Sequence, residues 1–150
     1  MPTDIVADTD LDAALAEFQG QLNMIFTRAR SMWKESAARI HPDLQPAGYK
    51  LLSYIARSGT ASAHHLAECF EMDKSVVSRQ TRMLEEAGLI VSRPDESDGR
   101  LRVLSATPAA EEALAEVRGA HAERMRGAIG ELTPDEIRVA SKVFRLLSES

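Results

Sequence analysis

A stripe of hydroxyl and basic side chains is the part of this sequence whose residue types and spacing best suit chemistry. Its members recur at i, i+3, i+4 and i+7 and so share one face of a helix: Ser75, Ser78, Arg79 and Arg82. Arginine can hold guanine through two hydrogen bonds, and serine can reach bases or phosphates. No acidic residue interrupts this basic stripe before Glu85. The pattern favours a DNA major groove, although an ordinary solvated helix face has the same composition.

The helix that must carry the basic stripe is predicted between Asp73 and Gly88. Asp73 is a suitable N-cap, because its carboxylate can accept from N–H groups of the first turn. Gly88 suits the position after the helix end, because it takes the left-handed conformation without a Cβ penalty. The opposite side should face a core through Val76, Val77, Thr81 and Leu84.

Charge and composition bound the class of protein. The 150 residues include 18 basic and 23 acidic side chains, for a net charge of -5. This sign excludes an indiscriminate nucleic-acid binder but permits a specific one with a local basic surface. The single cysteine, Cys69, excludes an intrachain disulfide framework and suits a reducing cytoplasm. The sequence has neither a secretory signal nor an apolar run long enough to span a membrane, so we expect a cytoplasmic protein with no membrane partner.

Two short helices precede the basic stripe and complete a helix-turn-helix pattern. After residues 1–10, which we expect to fray, a long helix is predicted from Leu11 until the prolines of the 38–46 segment interrupt it. Helices are then predicted at 47–58 and 63–70, the second capped by Ser62. About three residues separate that helix from the one carrying the stripe, which is the spacing of a helix-turn-helix.

The period changes from helix to strand after Gly88. The segments 89–93 and 101–105 are rich in β-forming residues, and the intervening 94–99 segment consists of turn formers. This pattern predicts a β-hairpin with Arg100 near its tip. A hairpin after a helix-turn-helix is a wing.

The outer helices carry more apolar surface than one small domain needs. Thr107 and Thr133 each precede proline and predict helix starts, and the second helix has an apolar stripe from Ile137 to Leu147. We therefore expect a mainly α (α+β) protein in one domain, 1–150. A winged helix-turn-helix with a two-stranded wing occupies about 44–107, and N- and C-terminal dimerisation helices occupy about 10–38 and 108–148.

These motifs together resemble the MarR family of transcriptional regulators. The resemblance is carried by 62–67, 73–79, 84–90, 98–100 and Thr107-Pro108. It implies a homodimer on a pseudo-palindromic operator in double-stranded DNA, with the helix after Asp73 in the major groove. It also implies that Arg100 enters a minor groove and that Asp98 holds it. Gly99 stands where many relatives carry a second arginine, which implies fewer phosphate contacts from this wing.

The predicted DNA contacts extend beyond the basic stripe to neighbouring polar groups. The full set is Ser62, Lys74, Ser75, Ser78, Arg79, Gln80, Arg82, Arg93, Asp98 and Arg100. Ser62 also has a purely structural interpretation as a helix cap. The resemblance further implies a small aromatic or phenolic effector near Trp33, His41 and Tyr49. Core packing is the alternative, and it is favoured for Trp33 and Tyr49 because aromatic residues at helical spacing are usually buried.

Other reactive residue types lack a site pattern. His65 and Cys69 are spaced i, i+4, but two ligands do not make a metal site, and we expect Cys69 to be a small buried residue. No catalytic constellation, cofactor loop or metal motif is present, so no enzyme, cofactor or metal is predicted. The interpretation is a ligand-responsive repressor. The alternatives are an activator of the same fold and a dimeric helical adaptor whose winged module binds protein.

Overall fold

The computed structural model describes residues 2–150, with side chains from residue 7 onward. The elements in chain order are α1 (Pro2–Ile40), α2 (Pro46–Ser58), β1 (Ala61–Ser62), α3 (Ala63–Phe70), α4 (Lys74–Glu86), β2 (Ile90–Pro94), β3 (Arg102–Ala106), α5 (Pro108–Ile129) and α6 (Pro134–Ser148). Contacts divide the chain into two units, the first ending at Ala113 and the second running from Leu114 to Ser150. The mainly helical winged helix-turn-helix fold is confirmed.

The first helix is longer than the sequence pattern indicated. It begins at Pro2 rather than near Leu11, so the expected fraying is wrong for residues 2–10, and Met1 lies outside the described residues. Extending an existing helix adds one hydrogen bond for each residue fixed, so a segment without glycine or internal proline can join it. The helix ends at Ile40, just before His41 and Pro42, as the proline signal predicted.

The core of the first unit lies among α2, α3, α4 and the small sheet. Its largest fully buried side chains include Leu51, Leu52, Ile55, Leu66, Val77, Leu84 and Ile90, none more than 1% exposed. Each comes from the apolar side of its element, so the amphipathic patterns dictate how these elements pack. The helix-turn-helix formed by α3 and α4 is thereby held on α2.

The wing has one more strand than predicted. Strands β2 and β3 form the expected antiparallel hairpin, in which Ile90 pairs with Ala106 and Pro94 with Arg102. Strand β1 adds to the outer side of β3, so the order is β1-β3-β2. With only two residues, β1 is too short to produce an alternating pattern in the sequence.

Gly88 and Thr107 organise the base of the wing. Gly88 has a φ of 75°, and its N–H and that of Leu89 donate to the carbonyls of Glu85 and Leu84, which forms a Schellman motif. The Thr107 hydroxyl donates to the Gly88 carbonyl over 2.7 Å and accepts from the Ala110 N–H over 3.3 Å. The predicted glycine stop and threonine cap are both confirmed.

The second unit contains most of α5 and all of α6. Thr133 caps α6 with a full capping box, in which its hydroxyl accepts from the Glu136 N–H and Glu136 accepts from the Thr133 N–H. These backbone and side-chain hydrogen bonds from Thr133 favour the charged carboxylate and lower the pKa of Glu136. The start predicted for α6 is confirmed, and no residue of α6 is buried.

Glu71, in the turn between α3 and α4, gives a stability prediction. Its φ of 50° is the left-handed conformation, which costs a residue with a Cβ about 1–2 kcal/mol. Glu71→Gly should remove that cost and raise the free energy of unfolding by about 0.5–1 kcal/mol, since the more flexible unfolded chain offsets part of the gain. Denaturant unfolding at a fixed protein concentration measures the difference.

Gly59 supplies the opposite substitution as a control. Its φ is 80° and nothing lies within 4 Å of an added Cβ, so Gly59→Ala introduces backbone strain without a clash. It should lower the free energy of unfolding by about 1 kcal/mol. A Glu71→Gly protein no more stable than the wild type would show that the turn is unstrained.

Candidate nucleic-acid interface

The basic stripe lies on the exposed side of α4. Its four members are exposed, as is Lys74 at the helix start. Val77 and Leu84 are buried on the other side, with 1% and 0% of their surface exposed. The helix therefore anchors itself through one face and presents two arginines and two serines on the other.

The first turn of α4 is held differently from the prediction. Asp73 occupies the N-cap position, but its side chain makes no capping hydrogen bond. Its backbone carbonyl instead accepts from the N–H groups of Val76 and Val77, over 3.0 and 3.1 Å. The predicted carboxylate cap is wrong, and the first-turn N–H groups are not covered by the Asp73 side chain.

Gln80 is not part of the exposed face. It is only 9% exposed, because it follows Val77 by three residues and precedes Leu84 by four and so falls on the anchoring side. The inclusion of Gln80 among the predicted DNA contacts is therefore wrong in geometric terms. Its neighbour Arg79, about 100° away around the helix, remains exposed.

A concave surface of about 400 Å³ adjoins the basic stripe. Its polar lining comes from two helices and the hairpin: His64 of α3, Lys74, Ser78, Thr81 and the acidic Glu85 of α4, Ser92 of β2 and Arg102 of β3. Arg102 is fixed there, since its Nε donates to Ser92 Oγ over 2.8 Å and its terminal nitrogen donates to the Ser92 carbonyl over 3.1 Å. Sequence analysis missed Arg102, although the strand register that pairs it with Pro94 gives its position.

The wing tip joins Asp98 to Arg100. Asp98 Oδ1 accepts from the Arg100 backbone N–H over 3.1 Å and from Arg100 Nε over 3.2 Å. The Arg100 side chain is 92% exposed and the Asp98 side chain 39%. The carboxylate thus orients an arginine that otherwise projects into solvent. Arg93, on β2, is also exposed.

Ser62 acts as the cap of α3. Its hydroxyl accepts from the His65 N–H over 3.1 Å, which confirms the structural interpretation. The same residue belongs to β1 and pairs with Val103 of the wing. Ser62 therefore links the helix-turn-helix to the wing.

The structure does not gather the three predicted effector residues into one cavity. Trp33 is 37% exposed, and the ammonium of Lys50 lies 4.1 Å from its ring centroid. His41 accepts from the Asp43 N–H through Nδ1 and lines a separate recess of about 180 Å³ near the end of α4. Tyr49 is half-buried on α2 and does not line that recess.

Cys69 is exposed, so its predicted burial is wrong. Its sulfur lies 3.3 Å from His65 Nε2 and 3.8 Å from the Tyr54 hydroxyl, and that hydroxyl lies 2.8 Å from the same nitrogen. Cys69 thus lies on the same side of α3 as His65, where its sulfur faces Tyr54 of α2 at the edge of the core. Within residues 7–150, no cluster of three or more histidine, cysteine or acidic side chains could hold a metal ion.

None of the helices in the described part of the chain has the length and apolar character needed to cross a lipid bilayer.

These elements define a class of protein. A short helix, a tight turn, a second helix with a basic exposed face and a β-wing make up the winged helix-turn-helix, a module of DNA-binding transcription factors.

Comparisons with known proteins find similarity to one family within this class. A family model described as MarR family matches residues 43–101. The HTH-type transcriptional regulator YxaD of Bacillus subtilis, itself uncharacterised, is 26% identical over 121 residues, which cover 81% of this chain and 85% of YxaD. A crystal structure of MarR is 26% identical with a TM-score of 0.68 and covers 88% of this chain and 95% of MarR. This chain is therefore similar to MarR-family transcriptional regulators, and the family model covers its residues 43–101.

The fold is also that of a family structure solved with DNA. A cysteine-to-serine mutant of MarR from E. coli, complexed with operator DNA, matches with a TM-score of 0.62 and 17% identity. The match covers 85% of this chain and 91% of that one.

Proposed function

We propose that this protein binds a pseudo-palindromic operator as a homodimer and regulates transcription from it. One observation carries the proposal: α4 exposes Arg79 and Arg82 with two serines on a face without acidic residues until its last turn. An arginine held by an aspartate projects from the wing beside it. The major groove is wide enough for such a helix, and the narrower minor groove attracts an inserted arginine.

Exposed apolar side chains in each unit support a homodimer. In the first unit, α1 exposes Leu11, Leu15, Phe18, Met24, Ile25 and Phe26, and in the second, α6 exposes Val139, Phe144, Leu146 and Leu147. Scattered exposed residues are ordinary, but runs of this size on single helices indicate an interface. A second copy with two-fold symmetry would cover them and place two recognition helices about 34–36 Å apart, one turn of DNA.

Selection of bound fragments from genomic DNA, followed by titration of the best fragment against salt, tests DNA binding. We expect a short list of fragments that share an inverted repeat and an affinity that falls steeply as salt rises, because bound phosphates release counterions. Absence of any preferred fragment would contradict the proposal. It would favour the alternative, a dimeric adaptor whose winged module binds protein.

Repression is the simplest consequence of occupying promoter DNA. A reporter driven by a selected promoter should rise in activity when the gene for this protein is deleted. A fall would assign the same binding event to activation.

We also propose that a small aromatic or phenolic acid regulates the protein at the junction of α1 and α2. Lys50 over the Trp33 ring supports this, because a cation beside a partly exposed aromatic face can receive an aromatic carboxylate. Thermodynamic linkage requires operator DNA to weaken ligand binding by the same factor by which ligand weakens DNA binding. Equal ligand affinities with and without operator, measured for compounds found by screening, would exclude this regulation.

Asp98 gives a prediction whose sign separates two explanations of the wing. If Asp98 preorganises Arg100, Asp98→Ala should weaken operator binding by about two- to tenfold, because ordering a long side chain costs about 0.5–1.5 kcal/mol. Simple electrostatics predicts the reverse, since the substitution removes a negative charge near DNA. Operator affinity at fixed salt decides between them.

Glu96 provides the matched control. Glu96→Ala removes the same charge from the wing and leaves the contact between Asp98 and Arg100 in place. It should bind the operator as well as or better than the wild type. If both alanine variants bind more tightly, Asp98 does not orient Arg100.

A further inference from the structure

Gln80 is a polar residue at the centre of the face by which α4 is anchored. Val77 and Leu84 lie one turn to either side of it, and all three are buried. Its Oε1 atom is buried and accepts no hydrogen bond from any described residue. Packing, rather than a hydrogen bond, therefore sets the position of Gln80 Oε1.

The Gln80 side chain packs against Gly48 of α2. A Cβ atom added at Gly48 would lie 2.8 Å from Gln80 Oε1 and 2.7 Å from Leu44 Cδ1, whereas ordinary contact begins at 3.4 Å. Leu44 is itself 5% exposed, so it has little room to withdraw. The Gln80 amide thus occupies the space that a side chain at residue 48 would fill.

Glycine inside a helix normally reduces stability relative to alanine. Gly48 is the third residue of α2 and has helical neighbours on both sides, so helix formation does not explain it. Close approach of α4 does explain it.

We propose that Gly48 and Gln80 form a size-matched joint that positions the recognition helix, and that Gln80 affects operator specificity without touching DNA. This inference rests on the proposed function. Gln80 and the basic stripe lie on opposite sides of one rigid helix. A helix moved off α2 by several tenths of an ångström carries the stripe with it by a similar distance. Displacements of about 0.5 Å or 10–20° already spoil a preorganised contact set.

Gly48→Ala is the first test. Propensity alone predicts a more stable α2. The joint predicts instead that operator affinity falls by about fivefold or more, because the base contacts that discriminate sequence are misplaced. Affinity for unrelated DNA and its salt dependence should stay near the wild-type values, since phosphate contacts tolerate small shifts. A role in folding alone would not change the ratio of operator to unrelated DNA affinity.

The second test enlarges residue 48 by one carbon and shortens residue 80 by one carbon. Gln80→Asn shortens residue 80 by one methylene, so Gly48→Ala combined with Gln80→Asn restores the total size. Operator preference is measured as the logarithm of the ratio of operator affinity to affinity for unrelated DNA. The double variant should regain at least half of the preference that Gly48→Ala loses. The clash with Leu44 is the same in the single and double variants, so the double-mutant cycle isolates the coupling between residues 48 and 80.

Gly119→Ala on α5 controls for the effect of alanine in a helix, because nothing lies within 4 Å of its added Cβ. It should leave the operator preference unchanged. Circular dichroism melting verifies that every variant is folded, and the double variant keeps the test decisive if Gly48→Ala alone unfolds. If Gly48→Ala leaves the operator preference unchanged, or Gln80→Asn does not restore it, the joint is refuted. A wild-type protein without preference for any fragment would instead refute the proposed function together with this inference.

Discussion

Arg82→Ala and Arg79→Ala are each expected to weaken operator binding by about 5- to 150-fold, which corresponds to the 1–3 kcal/mol of a bidentate contact with guanine. Both side chains project from the exposed face of α4, opposite Val77 and Leu84. The substitutions leave that anchoring face intact, so stability should change little. Affinity for each single-base variant of the operator would locate the base that each arginine contacts.

The pattern of lost discrimination distinguishes base reading from general attraction. When an arginine that reads a base is removed, the protein no longer discriminates between bases at one operator position. Loss of a phosphate contact instead weakens binding to all sequences alike. Arg138→Ala removes the same charge from α6, where Arg138 pairs with Asp135 over 2.9 Å, and should bind as the wild type does. Wild-type affinity and selectivity in both α4 variants would exclude this face as the reader.

Leu147→Glu is expected to convert the proposed dimer to a monomer and to weaken operator binding by about a hundredfold or more, because two linked modules bind far more tightly than one. Leu147 is 46% exposed on α6, a helix with no buried residue. A carboxylate would have to be desolvated in an apolar interface. Analytical ultracentrifugation at micromolar concentration measures the first effect and operator titration the second.

Arg145→Glu is a stringent control for this substitution. Arg145 is exposed and lies at least about 100° around the helix from Val139, Phe144, Leu146 and Leu147, and the change alters the net charge by twice as much. If acidity alone repelled DNA, Arg145→Glu would be the more damaging change. If the Leu147→Glu protein remains dimeric, Leu147 and the face of α6 around it are not part of the dimer interface.

The sequence was most informative where a local pattern determines the structure. The threonine caps at Thr107 and Thr133 and the left-handed Gly88 act within a few residues, so their signals are complete in the sequence. The helix-turn-helix and the hairpin follow from amphipathic and turn patterns of the same kind. The exposed side of α4 was predictable for the same reason.

The features that the sequence did not reveal depend on distant partners. Gln80 looks like a polar surface residue until Gly48, thirty-two positions earlier, is known to leave space for it. Cys69 looks like a core residue because its neighbours Leu66 and Phe70 point inward. Arg102 gains its place through Ser92 across the hairpin. Residue types alone do not place Arg102 beside Ser92; the pairing register of the two strands does.

The two-residue strand β1 has a consequence for how the wing opens. A hairpin of two short strands is marginally stable alone, and β1 adds a third strand that leads directly into α3. Because Ser62 belongs to this strand and also caps α3, separating the wing from β1 would disturb the start of that helix. The wing and the helix-turn-helix thus form one cooperative unfolding unit, and amide hydrogens of β3 that bond to β1 should exchange with solvent at the slow rate of the α3 core rather than that of a free hairpin.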